Sequence, residues 1–162
     1  MSDKLYSPWR YDYLKADKPE GCIFCIDPKD DESRFVVHRS EHSFVILNLY
    51  PYNNGHLMVV PKRHIASLSD LTAEESADIF SNLKSSEETI KMRYNTDGLN
   101  IGINLGKAAG AGVDEHLHIH IVPRWFGDSN YMTVCGDTRV IPEDFQLAYR
   151  GLKKLFNELL NK

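Results

Sequence analysis

The stretch "EHLHIHIVPRW" (residues 115–125) alternates histidine with aliphatic residues, placing His116, His118 and His120 at every second position. Successive side chains of a β-strand point to opposite faces, so a strand here would align the three imidazoles in one row, roughly 6.6–6.8 Å apart. A helix would spread them over different faces, and Pro123 is unfavourable inside a helix. The stretch therefore predicts a strand whose aliphatic side is anchored in the core.

A row of imidazoles suits two kinds of chemistry. Neutral imidazole binds zinc, copper or iron, and it can also act as a nucleophile. The preceding loop "GKAAGAG" (106–112) is rich in glycine, which lets backbone N–H groups approach a phosphate, although such a loop can also be a plain connection. Gly110 and Gly112 are the expected phosphate contacts of this loop, and Lys107 is the basic residue favoured beside them.

The rest of the sequence predicts further strands and two main helices. Strands rich in β-branched and aromatic residues are expected at 34–38, 43–48, 56–61 and 99–105, and helices at 73–94 and 142–160. Because strands and helices are segregated and the connections between strands are short, the class should be α+β with a mainly antiparallel sheet.

The first helix carries the clearest local signals. Thr72 and Glu75 fit a capping box, and "NTDG" (95–98) fits a helix stop, since Asn and Gly tolerate the left-handed conformation. An apolar stripe at the helical period is expected to face the core. Its members would be Ala77, Ile79, Phe80, Leu83 and Ile90.

Length and charge restrict the possible classes of function. The 162 residues suit one domain at 21–162, preceded by an arm at 1–20 that carries four aromatic residues. With 19 basic and 23 acidic side chains the net charge is −4, which favours a small phosphate-bearing ligand over nucleic acid. No apolar run is long enough for a signal-peptide core or a membrane span, so a cytoplasmic protein without membrane contact is expected.

Cys22 and Cys25 form a Cys-x-x-Cys pair, and Cys135 stands alone. Close spacing suits a metal or redox site better than a disulfide framework. A redox pair needs a thioredoxin-like βαβ setting, whereas "GCIFCIDP" opens onto a polar loop. A zinc site is the stronger interpretation, provided that two more ligands exist.

At "HLHIHIV" (116–122) the chain resembles the histidine-triad motif of the HIT superfamily of nucleotide hydrolases and transferases. Four other segments occur in the order typical of that family: "CIFC" (22–25), "NLYPYNNGHLMVVPKRHI" (48–65), "NLGKAAGAG" (104–112) and "VPRWFGDSNYM" (122–132). "PWRYDYL" (8–14) is similar to the arm of the bacterial dinucleoside-polyphosphate branch. The resemblance implies a five-stranded antiparallel sheet with two main helices, in a homodimer formed through sheet and helix.

The resemblance also implies roles for individual residues. His118 would be the nucleophile on the α-phosphorus, His120 would lie near the phosphate and help protonate the leaving group, and Asn104 would contact phosphate. Asn48 would bind the ribose, and His56 would line the site.

Family members with this Cys-x-x-Cys bind a structural zinc. The ligands implied here are Cys22, Cys25, His64 and His116. His116 would then be a zinc ligand first and a member of the catalytic triad second.

The implied function is cleavage of dinucleoside polyphosphates, such as diadenosine tetraphosphate, through a covalent nucleotidyl-histidine intermediate. Alternatives are a nucleoside phosphoramidase or other nucleotide-conjugate hydrolase, a non-catalytic nucleotide sensor, or a metalloenzyme with a metal on His118 and His120. Many members carry Ser or Thr just before the triad, where this chain has "AGAGVDEH" (109–116). That departure leaves the preferred leaving group open, and the sequence also leaves open whether water or phosphate is the acceptor.

Overall fold

A computed structural model describes residues 21–136 and 140–161; the aromatic arm predicted at 1–20 lies outside these ranges. Five strands form one sheet: β1 (Val36–Arg39), β2 (Ser43–Leu47), β3 (Leu57–Pro61), β4 (Gly98–Ile103) and β5 (Ile119–Arg124). Their order is β1-β2-β3-β5-β4, and every neighbouring pair is antiparallel. The predicted five-stranded antiparallel sheet is therefore confirmed.

The helices are α1 (Ala73–Tyr94), a single turn α2 (Tyr131–Val134) and α3 (Phe145–Leu160). α1 has the predicted bounds, because Thr72 and Glu75 form the capping box and Asn95 adopts the left-handed conformation that ends the helix. α3 begins at Phe145 rather than at 142, since Asp144 caps it by accepting a hydrogen bond from the N–H of Leu147 at 3.0 Å. None of the helices in the described ranges is long and apolar enough to cross a membrane.

The two faces of the sheet are covered differently. α1 and α3 pack on one face, where the main core contains residues such as Val45, Val59, Ile121, Leu152 and Phe156. The opposite face carries a smaller apolar cluster, in which Phe24 of the amino-terminal segment packs with strand residues such as Ile46 and Met58. This second face also carries the histidines.

The predicted apolar stripe of α1 is partly wrong. Ile79 and Ile90 are buried and Leu83 packs against the core, but Ala77 is exposed and Phe80 has 68% of its surface exposed. Small polar side chains take the core-facing positions instead: Asn82, Ser86 and Thr89 are buried. The hydrophobic pattern alone therefore misplaced the buried face of this helix.

The histidine strand is shorter than predicted. β5 begins at Ile119, so His116 and His118 precede it, and the pairing with β3 starts at Val59 opposite Ile119. The preceding backbone bonds elsewhere, since the N–H of Leu117 donates to the carbonyl of Ile65 at 2.6 Å. Strand pairing thus reaches only the last of the three histidines.

Candidate functional site

The three histidines of the triad lie on the sheet face that the helices leave uncovered. The rings of His118 and His120 meet edge to face with their centroids 4.9 Å apart. The ring of Phe24 packs against both His116 and His118, at 5.7 and 5.0 Å between centroids. All three imidazoles are buried, but each contacts different partners.

In the neutral ring of His118, one nitrogen makes a hydrogen bond to the backbone and the other keeps its lone pair. Its Nδ1 lies 2.8 Å from the carbonyl oxygen of His116. A carbonyl oxygen can only accept, so Nδ1 must carry the hydrogen, and Nε2 of neutral His118 then keeps its lone pair. This tautomer is the one a nucleophile requires.

His120 has the opposite assignment, which follows from a chain of hydrogen bonds that starts in the backbone. The N–H of Tyr52 donates to Nδ1 of His56 at 3.0 Å, so that nitrogen is an acceptor. Nε2 of His56 therefore carries the hydrogen, and it donates to Nδ1 of His120 at 3.0 Å. In neutral His120 the remaining nitrogen, Nε2, is then an N–H donor beside His118.

Burial keeps the imidazole rings of both His56 and His120 neutral. Burial, with smaller contributions from His120 and His118, lowers the pKa of His56 to about 3. Burial, helped by His118, lowers the pKa of His120 to about 4. At neutral pH His120 therefore offers one N–H hydrogen-bond donor from an uncharged ring.

Asn48 contacts the ring of His56. Its amide Nδ2 lies 3.2 Å from Nδ1 and 3.5 Å from Nε2 of that ring, and its Oδ1 accepts from the N–H of Tyr50 at 3.0 Å. The residue is buried at the end of β2, so the amide is fixed by the same turn that fixes His56. The sequence prediction brought Asn48 and His56 to the site, and the structure places them in contact.

A second cluster surrounds the buried ring of His116. Its Nε2 lies 2.9 Å from the carbonyl of Pro61 and must donate, which leaves Nδ1 as a lone pair. That nitrogen lies 3.1 Å from Sγ of Cys22 and 3.9 Å from Sγ of Cys25, and Nδ1 of His64 lies 3.3 Å from Sγ of Cys25. All four predicted ligand atoms lie within 4.8 Å of one another.

This donor set fits a tetrahedral zinc site. Zn–S bonds of about 2.3 Å and Zn–N bonds of about 2.0–2.1 Å place tetrahedral ligand atoms about 3.3–3.8 Å apart. Three of the six separations between ligand atoms are 3.1, 3.3 and 3.9 Å, close to that range, and all six are within 4.8 Å. The hydrogen bond to Pro61 also orients His116 in the way that partners beyond the ligands orient metal-bound imidazoles.

A cavity of about 580 Å³ opens beside His120. Its polar lining includes the predicted phosphate contact Asn104, together with Asn100 and Arg124, and Tyr52 forms part of its wall. The predicted contacts Lys107, Gly110 and Gly112 belong to the following loop and do not line this cavity. Lys107 is exposed, and its Nζ lies 3.6 Å from a carboxylate oxygen of Asp114.

Sequence reasoning missed the groups that set the tautomers. These are three backbone groups, the N–H of Tyr52 and the carbonyls of Pro61 and His116, which carry no signal in residue identity. Sequence reasoning also missed Asp128, whose carboxylate accepts from Asn53 at 2.9 Å and so helps to fix the turn that carries Tyr52. The conspicuous "FGD" of residues 126–128 was the available signal for Asp128.

Comparison with known proteins gives concordant results. The HIT domain family matches residues 29–127. An AP-4-A phosphorylase of Mycobacterium tuberculosis is 42% identical over 150 residues, which cover 86% of this chain and 77% of the relative. A bis(5'-adenosyl)-triphosphatase of Saccharomyces cerevisiae is 41% identical over 91 residues, covering 56% of this chain and 44% of the relative. A zinc-bound histidine triad family protein from Mycobacterium smegmatis superposes with a TM-score of 0.70 at 29% identity, covering 86% of this chain and 96% of that structure.

Proposed function

This chain belongs to the HIT domain family, and from that membership we propose that it cleaves dinucleoside polyphosphates, such as diadenosine tetraphosphate, at the α-phosphate. The names of the mycobacterial and yeast relatives support this substrate class. One structural observation carries the proposal: the ring of His118, whose lone pair is on Nε2, packs against the ring of His120, whose hydrogen is on Nε2, with 4.9 Å between the ring centroids. A nucleophile and a hydrogen-bond donor are thus on neighbouring rings.

The reaction follows from these two tautomers. Nε2 of His118 attacks the α-phosphorus, an N–P bond forms, and the bond from phosphorus to the bridging oxygen breaks. The nucleoside polyphosphate leaves as an anion, and the Nε2–H of His120 donates a hydrogen bond to the departing oxygen and stabilises its charge. Water or inorganic phosphate then attacks the phosphorus, the N–P bond to His118 breaks, and the nucleoside mono- or diphosphate is released with neutral His118 restored; any proton lost by the attacking group passes to the released phosphate or to solvent.

The carbonyl of His116 supports the first step. As His118 forms its bond to phosphorus its ring becomes cationic, and the Nδ1–H donated to this carbonyl becomes a stronger, charge-assisted hydrogen bond. In this proposal the amide of Asn48 faces the ribose, and Asn104 contacts the phosphates. Lys107, Gly110 and Gly112 would reach the phosphates from the loop that precedes the triad.

The nucleophile is tested by the substitution His118→Ala. We expect kcat/KM for diadenosine tetraphosphate to fall by at least about 10³-fold, because the covalent route is removed. Mass spectrometry of quenched wild-type enzyme should detect a nucleotidyl adduct that the variant lacks. His42→Ala, at a histidine in the β1–β2 turn, is the control and should keep the activity. Near-normal turnover by His118→Ala would exclude this mechanism.

The acceptor can be determined from the products. With diadenosine tetraphosphate, hydrolysis yields AMP and ATP, whereas phosphorolysis yields ADP and ATP. Measuring AMP and ADP with and without inorganic phosphate therefore distinguishes the two. The name of the mycobacterial relative, AP-4-A phosphorylase, supports phosphorolysis.

A structural zinc ion is proposed for the cluster of Cys22, Cys25, His64 and His116. The donor types and spacing support it, and so does the zinc-bound mycobacterial neighbour. The metal would tie the amino-terminal segment to the residues that precede β5. The carbonyl of His116 and the ring of Phe24 connect this site to His118, and no proposed step passes through the metal.

A homodimer is also proposed, formed through the edge strand β4 and the adjoining helix α1. Within the described residues β4 pairs only with β5, which leaves its outer edge available to a second copy. Apolar side chains are exposed at this edge and at the end of α1, namely Ile101 and Met92. These surfaces suit the side-by-side joining of two sheets.

A further inference from the structure

The proton carried by His120 defines the side of the site on which the leaving group lies. A donor must be within hydrogen-bond reach of the oxygen whose charge it stabilises. His120 lines the cavity of about 580 Å³, whereas Asn48, the proposed ribose contact, does not line it. The departing half of a dinucleotide therefore has to enter this cavity.

The floor of the cavity directly beside His120 lacks a side chain. Gly102 is the β4 residue paired with His120 in the strand register. A Cβ built at Gly102 would meet nothing within 4 Å, and its backbone does not require glycine. Glycine in the middle of a strand weakens the strand and often marks a place where a ligand approaches closely. The cavity is thus open next to His120 because Gly102 has no side chain.

A polar group stands one step further along the same face. Asn100 pairs with Val122 in the register, roughly 6.7 Å along the strand from Gly102. Its Oδ1 accepts a hydrogen bond from Nη1 of Arg124 at 2.7 Å. Because the oxygen is engaged, the Nδ2 group of this exposed amide is the part available for a ligand.

The orientation of Arg124 is itself fixed. Its Nε and Nη2 donate to the two carboxylate oxygens of Asp128 at 2.6 and 2.9 Å. The ion pair largely compensates the charge of the guanidinium, so Arg124 acts here as a positioning residue for Asn100 and not as the main anion contact. Along this face, the N–H of His120 is therefore followed by the open space at Gly102 and then by the amide of Asn100.

We propose that this cavity is a subsite for the leaving nucleoside polyphosphate, in which Gly102 provides the space for the phosphate chain and Asn100 donates to the phosphates beyond it. The proposal rests on the proposed function and adds what determines the size of the leaving group. A small leaving group would use His120 alone. A long one needs the space above Gly102.

The test fills the floor with the substitution Gly102→Val. Diadenosine tetraphosphate and adenosine 5′-phosphoramidate react at the same α-phosphorus but release ATP and ammonia, respectively. We expect the ratio of kcat/KM for the first substrate to that for the second to fall at least about tenfold. Valine favours strands, so unfolding is not the expected cause of a loss. Gly98→Val changes the same strand outside the cavity lining and should keep the wild-type ratio.

A binding measurement separates this subsite from the chemistry. In the His118→Ala background, calorimetry should show that diadenosine tetraphosphate binds more tightly than AMP, and Gly102→Val should remove most of that difference. Asn100→Leu removes the amide donor at similar volume and should reduce the same difference.

The outcomes distinguish the two proposals. A wild-type enzyme that turns over neither substrate would overturn the proposed function, while the binding series would still decide on the subsite. Equal losses for both substrates, or an affinity difference that Gly102→Val leaves intact, would overturn the subsite.

Discussion

At the scale of single residues, the three imidazoles of the triad are chemically identical, but each has a different hydrogen-bond partner on one ring nitrogen. That partner determines which nitrogen of the ring carries the hydrogen. A carbonyl fixes Nδ1 of His118 as a donor, and another carbonyl fixes Nε2 of His116 as a donor. His56 fixes Nδ1 of His120 as an acceptor. The remaining nitrogens are therefore a lone pair on His118, a lone pair on His116 and an N–H on His120. In the proposed function they serve as the nucleophile, the zinc ligand and the hydrogen-bond donor to the leaving group.

The lowered pKa of His56 predicts a specific pH dependence of stability. Below pH 6.5 the unfolded chain binds a proton at this histidine, whereas the folded chain, with a pKa of about 3, does not. Acid therefore favours unfolding, and this one group should reduce the free energy of unfolding by about 2 kcal/mol between pH 7 and pH 5. The measurement is urea denaturation at pH 7, 6 and 5.

His56→Gln isolates this contribution. Glutamine can still donate an N–H toward His120 but takes up no proton, so stability should fall less steeply with acid than in the wild type. Both proteins keep the same cysteine and histidine cluster, so any acid-induced loss of metal affects them equally. Identical slopes for the two proteins would contradict the assignment of a neutral, buried His56.

Sequence could identify the residues of the site but not their protonation. The alternation of histidines and the Cys-x-x-Cys pair indicated both clusters, and the structure brings each set together. The tautomers depend on backbone groups of Tyr52, Pro61 and His116, whose positions follow only from the fold. The cavity was also beyond sequence reasoning, since it arises from the absence of a side chain at Gly102.

At the scale of elements, local signals predicted well where they act through the backbone. The capping box at Thr72 and the left-handed Asn95 fixed both ends of α1. The predicted apolar stripe of α1 was partly wrong, because the burial of a helix face depends on the surface that it packs against. Here that surface is polar: buried Asn82 donates to Ser40 and Ser43, and these serines donate to Asp78. A polar network satisfied in this way can replace an apolar stripe, and the apolar Phe80 is left on the exposed side.

The proposed zinc links three elements, and its loss should therefore destabilise the fold. Cys22 and Cys25 lie in the amino-terminal segment, His64 follows β3, and His116 precedes β5. Cys22→Ser should bind less than about one tenth of the wild-type zinc and unfold at lower temperature, by roughly 2–4 °C for each kcal/mol lost. Elemental analysis and thermal denaturation measure the two effects.

Cys135→Ser is the matched control for the metal site. Cys135 is exposed and lies outside the four-residue cluster, so this variant should keep one zinc per chain and the wild-type melting temperature. The protein that remains folded in Cys22→Ser should also retain nucleotidyl transfer, since no step requires the metal. Complete loss of activity with the fold intact would contradict a purely structural role for this metal.

At the scale of the whole molecule, the sheet separates stability from chemistry. One face packs on α1 and α3 and supplies the main core, while the other carries the triad, the metal cluster and the cavity. This division explains why aliphatic residues and histidine alternate in β5. Ile119 and Ile121 are buried in the core, and His120 lies between them on the opposite face. The outer edge of β4 pairs with no strand among the described residues, and it is the edge through which the dimer is proposed.

The proposed dimer predicts that a charge at this edge separates the two copies. Ile101 lies on β4 with 47% of its surface exposed, and in the side-by-side arrangement it would be buried against the second copy. A lysine there would place two like charges near the twofold axis, where desolvation adds to their repulsion. We expect Ile101→Lys to be monomeric in sedimentation equilibrium at concentrations where the wild type is dimeric. Leu68→Lys changes an apolar side chain of similar exposure, 44%, in the turn before α1 and should leave the dimer intact. If Ile101→Lys remained dimeric while Leu68→Lys dissociated, the interface would lie elsewhere, and the free edge of β4 would need another explanation.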